Sequence, residues 1–406
     1  MKKFFVIALV LIMALGLLAA CTPDNGGGGE PPGENNGGDP TPAGPIRVAV
    51  IGPHTGQFAN FGLGVLQGVQ LYVEQLNAAG GINGRQVELV IHDNRGDSTE
   101  AINAFNRSVD AGIVGLIGDV LSGNSIAVVG QAYPINMPMI TPSSTNPAVT
   151  YDAETGTVFT NVFRTCFIDP FQGEKMATFA YEVLGARTAG VLFQTGVAYS
   201  VGLKDAFIES FIALGGEILA EEAFAVDDIN FMSQLTTIAA RDPDVFFIPV
   251  YYEDAGLIVT QAREVGITST ILGGDGLSGI TGFASAEDLE GLYFTSGFAP
   301  GSTPAVIAFE EAFTARFGDD FLNMFAATAF DAAMIMMNAI AIAEESGLPF
   351  GSPEYKQAII DAIRDNSGDL EGVTSHGYTF DRFNNPIKDV VIMRIEGGRE
   401  VYVQTF

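Results

Sequence analysis

From residue 46 onward, short apolar runs alternate with stretches whose apolar residues recur every three or four positions, and this alternation constrains the fold more than any other feature of the chain. Residues 46–51 end at Gly52-Pro53 and predict a strand; Leu66, Val69, Val73 and Leu76 then share one face of a helix that Gly80-Gly81 stops. Residues 86–91 predict the next strand and residues 99–111 the next helix, with Ser98 or Thr99 available as its N-cap. Residues 113–118, 137–140, 189–193, 245–250 and 270–273 are further apolar runs bounded by turn residues, and helical stretches lie between most of them. Such a β-α succession builds parallel sheets covered by helices on both faces, which makes the fold class α/β. The chain from residue 46 to 406 is longer than a usual single domain and points to two such lobes. The apolar stretch 326–343 has nearly the length of a membrane span, but Asp331 and Asn338 interrupt it and acidic residues close it, so a core helix is predicted there.

The region ahead of residue 46 is of another kind. Lys2 and Lys3 precede an apolar run over residues 4–18 that ends in small residues and a cysteine, as a secretory leader does. Leu18-Ala19-Ala20-Cys21 resembles the lipobox of bacterial lipoproteins; the resemblance implies removal of residues 1–20 and attachment of lipid to Cys21, which would anchor the chain to a membrane without spanning it. A plain leader with an incidental cysteine, or an uncleaved anchor helix, is the alternative. Residues 21–45 hold Gly, Pro, Asn and acids without a bulky apolar side chain, and read as a tether with a reach of roughly 25–30 Å. The expected location is the outer face of the cytoplasmic membrane or the periplasm. Beyond this region Cys166 is the sole thiol, so no intrachain disulfide is expected, and it reads as a small buried hydrophobe. With 48 acidic against 19 basic residues the formal net charge is −29, a surface that repels nucleic acid and anionic lipid.

In open parallel sheets, ligands bind beyond the carboxyl ends of the strands, so the residues just after each predicted strand are the candidates. After 113–118 come Asp119 to Ser125, with Ser122 and Ser125 at a helix start whose hydroxyls and free N–H groups suit a carboxylate. After 137–140 comes a second hydroxyl-rich turn, Thr141-Pro142-Ser143-Ser144-Thr145. The later strands are followed by Gln194 to Tyr199, by Tyr251-Tyr252 and by Gly274-Asp275-Gly276. Hydroxyls, helix starts, phenols and one carboxylate are the mixture a zwitterion such as an α-amino acid requires, with Asp275 as partner for its ammonium. Each residue has a plainer use: the serines as helix caps, Thr145 and Asp275 in turns, Tyr199 and Tyr251 as packing aromatics. Convergence from several segments is what raises them together.

Several motifs in order carry a family resemblance: Gly52-Pro53-His54-Thr55-Gly56 with Gly62, the long Asn77-Ala78-Ala79-Gly80-Gly81-Ile82-Asn83-Gly84, then Asp93, then Ile140 to Thr145, Phe163-Arg164-Thr165 and Gly273 to Gly276. From residue 46 to about 383 the chain resembles the branched-chain amino-acid (Leu/Ile/Val) substrate-binding proteins of ABC transporters. That resemblance implies a type I periplasmic-binding fold, with two doubly wound parallel-sheet lobes joined by three hinge crossovers. Residues 46–167 and 297–378 would form lobe one, and 168–296 and 379–406 lobe two. It also implies a small-molecule ligand in the cleft, a permease as partner, and neither a cofactor nor catalysis. Carried onto this chain, Ser122, Ser143 and Thr145 would hold the ligand carboxylate and part of its ammonium. Tyr199, Tyr251 and Asp275 would close from lobe two, with Asp275 on the ammonium, and Phe61 would stand against the ligand side chain. Three departures are visible. Gly96 and Leu121 occupy the positions of a disulfide near the cleft in the amino-acid binders of the family. Asp275 replaces a frequent Glu, so the ammonium would sit closer or bind through water. Asp119 adds an acid near the carboxylate site. Relatives that bind amides, urea or aromatic acids keep the ligand open, while the retained hydroxyls, tyrosines and acid favour an amino acid.

Two enzyme readings compete. Gly62, Gly64 and Gly68 form a loose dinucleotide fingerprint, yet they begin ten residues after the strand, too far for a phosphate turn. His54, His92 and His376 show no metal spacing and no Gly-x-Ser-x-Gly elbow occurs; the histidines read as loop or surface residues. A ligand-binding sensor that serves a signalling receptor instead of a permease remains a reading of equal chemistry.

Overall fold

The structure is a computed structural model that describes residues 44–406; the expected leader, Cys21 and residues 21–43 of the expected tether lie outside the described residues. The first lobe begins with β1 (Ile46–Gly52), α1 (Ala59–Ala78), β2 (Val87–Asp93), α2 (Ser98–Asp110), β3 (Gly115–Ile117), α3 (Ser122–Ala132) and β4 (Met139–Thr141). A small hairpin, β5 (Tyr151–Asp152) and β6 (Thr157–Val158), precedes β7 (Val162–Arg164). The sheet has the order β2-β1-β3-β4-β7 and is parallel throughout. Of its inner strands, β3 and β4 are three residues long and fully buried, which is why they read as unbroken apolar runs rather than as alternation.

Strand ends differ from the sequence expectation where backbone groups are claimed by neighbouring helices. The Met137 N–H bonds to Ala132 O at 3.0 Å, so the run 137–140 starts as the end of a helix and pairs only from Met139. The cap of α2 is Asp97, not Ser98 or Thr99. Its carboxylate accepts from the Glu100 N–H at 2.8 Å, while the Ser98 hydroxyl is committed to Asn124 at 2.8 Å.

The second lobe runs through α4 (Asp169–Thr178), β8 (Thr188–Gln194), α5 (Ala198–Ala213), β9 (Glu217–Phe224), α6 (Met232–Ala239), β10 (Val245–Phe247), α7 (Tyr252–Glu264), β11 (Thr270–Gly273), α8 (Ala286–Leu289) and β12 (Tyr293–Ser296). The chain then returns to the first lobe for α9 (Pro304–Phe317), α10 (Met324–Glu345) and α11 (Pro353–Asn366), and crosses back for β13 (Val391–Glu396) and β14 (Arg399–Thr405). The second sheet has the order β14-β13-β12-β11-β10-β8-β9, parallel except at β13 and β14. Strand order reverses between β1 and β3 in one lobe and between β8 and β10 in the other, and each reversal opens a crevice at the carboxyl ends of its strands.

Three crossovers join the lobes: after β7, after β12 and before β13. Lys388, half-buried on the third, donates to Thr165 O on the first and to Thr374 Oγ1, each at 3.0 Å. A Cβ at Gly297, on the second, would stand 3.7 Å from its Nζ. One ammonium thus lies against all three connections.

The glycines of the loose fingerprint have a packing role. A Cβ at Gly62 would meet Pro53 O at 2.0 Å, and one at Gly68 would meet Ala326 O at 2.2 Å. They let α1 lie against the preceding loop and against α10. That last helix is long and apolar enough to cross a membrane, but 72% of its most apolar window is buried inside the protein, so it is a core helix.

Candidate functional site

The loops after β3, β4, β8, β10 and β11 meet between the lobes. The β3–α3 loop supplies Val120, Leu121 and Ser122, and the β4 turn supplies Ser143, whose hydroxyl donates to Val120 O at 2.8 Å and so fixes one loop on the other. From the second lobe, Tyr199 opens α5, Tyr251 precedes α7 and Asp275 follows β11. Together with Phe61 of α1, Gly276 and Phe325 of α10 these residues line one small chamber, of about 10 Å³. Six of the seven residues named from the sequence therefore line one space: Phe61, Ser122, Ser143, Tyr199, Tyr251 and Asp275. Thr145 is the seventh. It is buried beside the chamber without lining it, and its side chain faces the Asp169 carboxylate.

The aromatic walls are held by one another. Tyr199 and Tyr251 stack with centroids 4.8 Å apart and planes 10° from parallel, and Phe61 meets Tyr251 edge-on at 5.8 Å. The Tyr199 phenol accepts from the Gly276 N–H at 2.9 Å. A Cβ at Gly274 would lie 2.5 Å from that phenol oxygen, so the Gly273-Gly274-Asp275-Gly276 turn needs its glycines to pass this close beneath the ring. Burial, then the nearby carboxylate of Asp275, pushes both phenols well above their ordinary pKa, which keeps their protons available for donation.

Asp275 is buried, and burial pushes its carboxyl up to about 6 although Gln172 and Tyr199 stabilise the charge. Gln172 Nε2 donates to Asp275 Oδ1 at 3.1 Å and to Asp169 Oδ1 at 3.0 Å, while its Oε1 accepts from the Asp275 N–H and from Thr295 Oγ1. Asp169 and Gln172, from the first turn of α4, escaped the sequence reading because they follow a crossover rather than a strand end; an acid opening a helix reads as dipole compensation. Asp119, expected as an extra acid near the ligand, turns the other way. It is wholly buried in the first lobe, accepts from Asn94 and from the Leu121 N–H, and burial pushes it up to about 7.

Further groups bridge the lobes. The Tyr252 hydroxyl donates to Gln57 O at 2.6 Å, Asn146 Nδ2 donates to Ala198 O at 2.8 Å, and the Tyr251 phenol faces the Ser122 amide. Two positions of the expected departures are confirmed as neighbours: a Cβ at Gly96 would lie 3.5 Å from Leu121 Cδ1. His54 is buried rather than a surface residue, with Nε2 unpartnered. Among the described residues no group of His, Cys, Asp and Glu could hold a metal ion.

A family profile described as "Periplasmic binding protein" matches residues 45–399. A Leu/Ile/Val-binding protein of Rhizobium johnstonii is 30% identical over 321 residues, 79% of this chain and 83% of that protein. A leucine-, isoleucine-, valine-, threonine- and alanine-binding protein of Pseudomonas aeruginosa is 27% identical over 305 residues, 75% of this chain and 80% of that one. Among solved structures, the leucine binding protein LivK of Thermotoga maritima superposes with a TM-score of 0.80 at 34% identity, over 89% of this chain and 98% of its own. The branched-chain amino acid transporter substrate binding protein LivJ of Streptococcus pneumoniae, solved with isoleucine, gives 0.79 at 31% identity, over 88% and 99%. The order of strands, the crevices at the two sheet reversals and these matches agree, and the chain belongs to the periplasmic binding proteins of type I fold, in the branch of the Leu/Ile/Val-binding proteins.

Proposed function

We propose that the protein captures a free α-amino acid with a compact apolar side chain in the interlobe chamber and delivers it to an ABC permease, without catalysing a reaction. The observation that carries this reading is the division of chemistry across the chamber. One lobe presents Ser122, Ser143 and the start of α3, which are polar and uncharged. The other presents Asp275 with Tyr199 and Tyr251. A carboxylate is stabilised by N–H and O–H donors at a helix start, an ammonium by a buried carboxylate, and a ligand with both ends fits between them. Phe61, Val120, Leu121 and Phe325 form the apolar part of the lining, against which the side chain would lie as the lobes open to admit it.

The lobes close on the solute because the binding groups come from both, so the closed form gains affinity that the open form lacks. Cys21 as a lipid anchor and residues 21–45 as tether would keep the closed protein near its permease. The relatives' ligands, leucine, isoleucine and valine among them, set the order of testing. A thermal-shift screen of the twenty amino acids, their amides and small carboxylic acids tests the reading, since a ligand bound only by the native state raises Tm with the logarithm of its excess over Kd. A rise confined to free α-amino acids is expected; a response only to amides or to acids lacking nitrogen overturns the assignment.

A further inference from the structure

Asp169 has no assigned role, and its surroundings are those of a binding group. It is wholly buried, its Oδ1 shares the Gln172 amide with Asp275, and its only other side-chain partner is the Thr145 hydroxyl. Thr145, beside it and equally buried, is also joined to it by the Asp169 N–H bond to Thr145 O at 2.9 Å. A carboxylate bridged to Asp275 by one amide, and served at Oδ2 only by a threonine hydroxyl, keeps acceptor capacity for a donor-rich group arriving from the adjacent chamber.

Two buried carboxylates bridged by one amide do not stay ionised together without a cation. Arg164 favours the charge of Asp169 from a distance, but no cation makes an ion pair with either carboxylate among the described residues. Arg164 of β7 spends Nη1 and Nη2 on Ser144 O, Asn146 O and Thr150 Oγ1. Cys166, Tyr199 and Tyr251 bring groups that are neutral when protonated, and burial pushes each of them up. Among the described residues no lysine, arginine or histidine is in ion-pair contact with Asp169 or Asp275.

We propose that Asp169 is a specificity-determining residue of the chamber: with Asp275 it forms a carboxylate pair, bridged by Gln172, that selects solutes carrying an ammonium group over deaminated acids. This rests on the amino-acid reading of the site and extends it. Without solute the pair holds one proton. When a solute ammonium enters, both carboxylates ionise around it, the ammonium keeps its three protons, and the shared proton leaves to solvent. Capture therefore releases a proton. Burial, which pushes Asp169 up to about 7 and Asp275 up to about 6, places that release in the neutral to weakly acidic range.

The test is calorimetry on the full folded chain with L-isoleucine, L-valine and L-alanine, each beside its deaminated acid: 3-methylpentanoate, 3-methylbutanoate and propanoate. Titrations at pH 6 in buffers of different ionisation enthalpy count the protons. The wild type should release about one proton per amino acid bound, and none at pH 9. Asp169→Asn should abolish the release, weaken amino-acid binding about tenfold or more, and narrow the preference over the deaminated acid. Wild-type binding with no proton released between pH 5 and 8 overturns the proposal even if the variant fails to fold. So does an Asp169→Asn protein that keeps both affinity and preference. If Asp275→Ala abolishes binding in that case, the amino-acid reading survives and only the role of Asp169 falls. If none of the three amino acids binds the wild type, both readings fall together.

Discussion

Asp275 is a buried acid that lines the chamber and makes no ion pair among the described residues, and the function proposed above gives it an arriving ammonium as partner. Breaking a buried ion pair by removing one member costs about 3–5 kcal/mol. Asp275→Asn should therefore lower amino-acid affinity by roughly a hundredfold or more, measured by calorimetry at pH 8. The same acids predict the pH dependence of stability. Burial raises Asp119, Asp169 and Asp275 above the ordinary carboxylate range, to about 7, 7 and 6. A group whose native pKa exceeds its unfolded value contributes stability that is full below about pH 4 and is lost as pH climbs through the native pKa. Without solute the melting temperature should fall between about pH 4 and pH 8, and Asp169→Asn should flatten that fall in a scanning experiment. The strand-end rule reached Ser122, Ser143, Tyr199, Tyr251 and Asp275 because each follows an apolar run directly. It could not reach Asp169 and Gln172, whose place depends on how the first crossover turns, nor foresee that the Asp119 side chain points into its own lobe.

The elements were legible in proportion to their burial. The central strands β1, β8, β10 and β11 are nearly wholly buried and read as apolar runs. β9 was not read as a strand because it lies at the edge of its sheet, with Glu217 and Glu221 exposed and Lys204 paired to Glu221 at 2.9 Å. β7 is three residues long, and the hairpin of β13 and β14 has an outer strand whose Val401, Tyr402 and Val403 are exposed, which hides the alternation. The α1–α10 contact yields a prediction at this scale. Gly68→Ala places a methyl 2.2 Å from a backbone oxygen of α10, and overpacking of this kind costs about 1–3 kcal/mol. Denaturant titration should show the midpoint lowered at unchanged slope. The glycines that suggest a phosphate turn in the sequence are, in three dimensions, the places where two core helices and a loop come closest.

Across the whole molecule, closure is held by few direct bonds. Tyr252→Phe removes the hydroxyl bonded to Gln57 O across the lobes and leaves the ring edge-on to Phe61 at 4.6 Å. A lost hydrogen bond of this type is worth about 0.5–1.5 kcal/mol, so solute affinity should fall roughly three- to tenfold while the chamber chemistry stays intact. Small-angle scattering at sub-saturating solute should show a larger open fraction than in the wild type. The stacked Tyr199–Tyr251 pair has an optical consequence. The chain contains no tryptophan, so its near-ultraviolet emission comes from 11 tyrosines and is not masked by a brighter indole. Two of those phenols sit face to face on the chamber wall, beside an acid able to quench them, so under the proposed function the native protein carries its own dye-free reporter of occupancy.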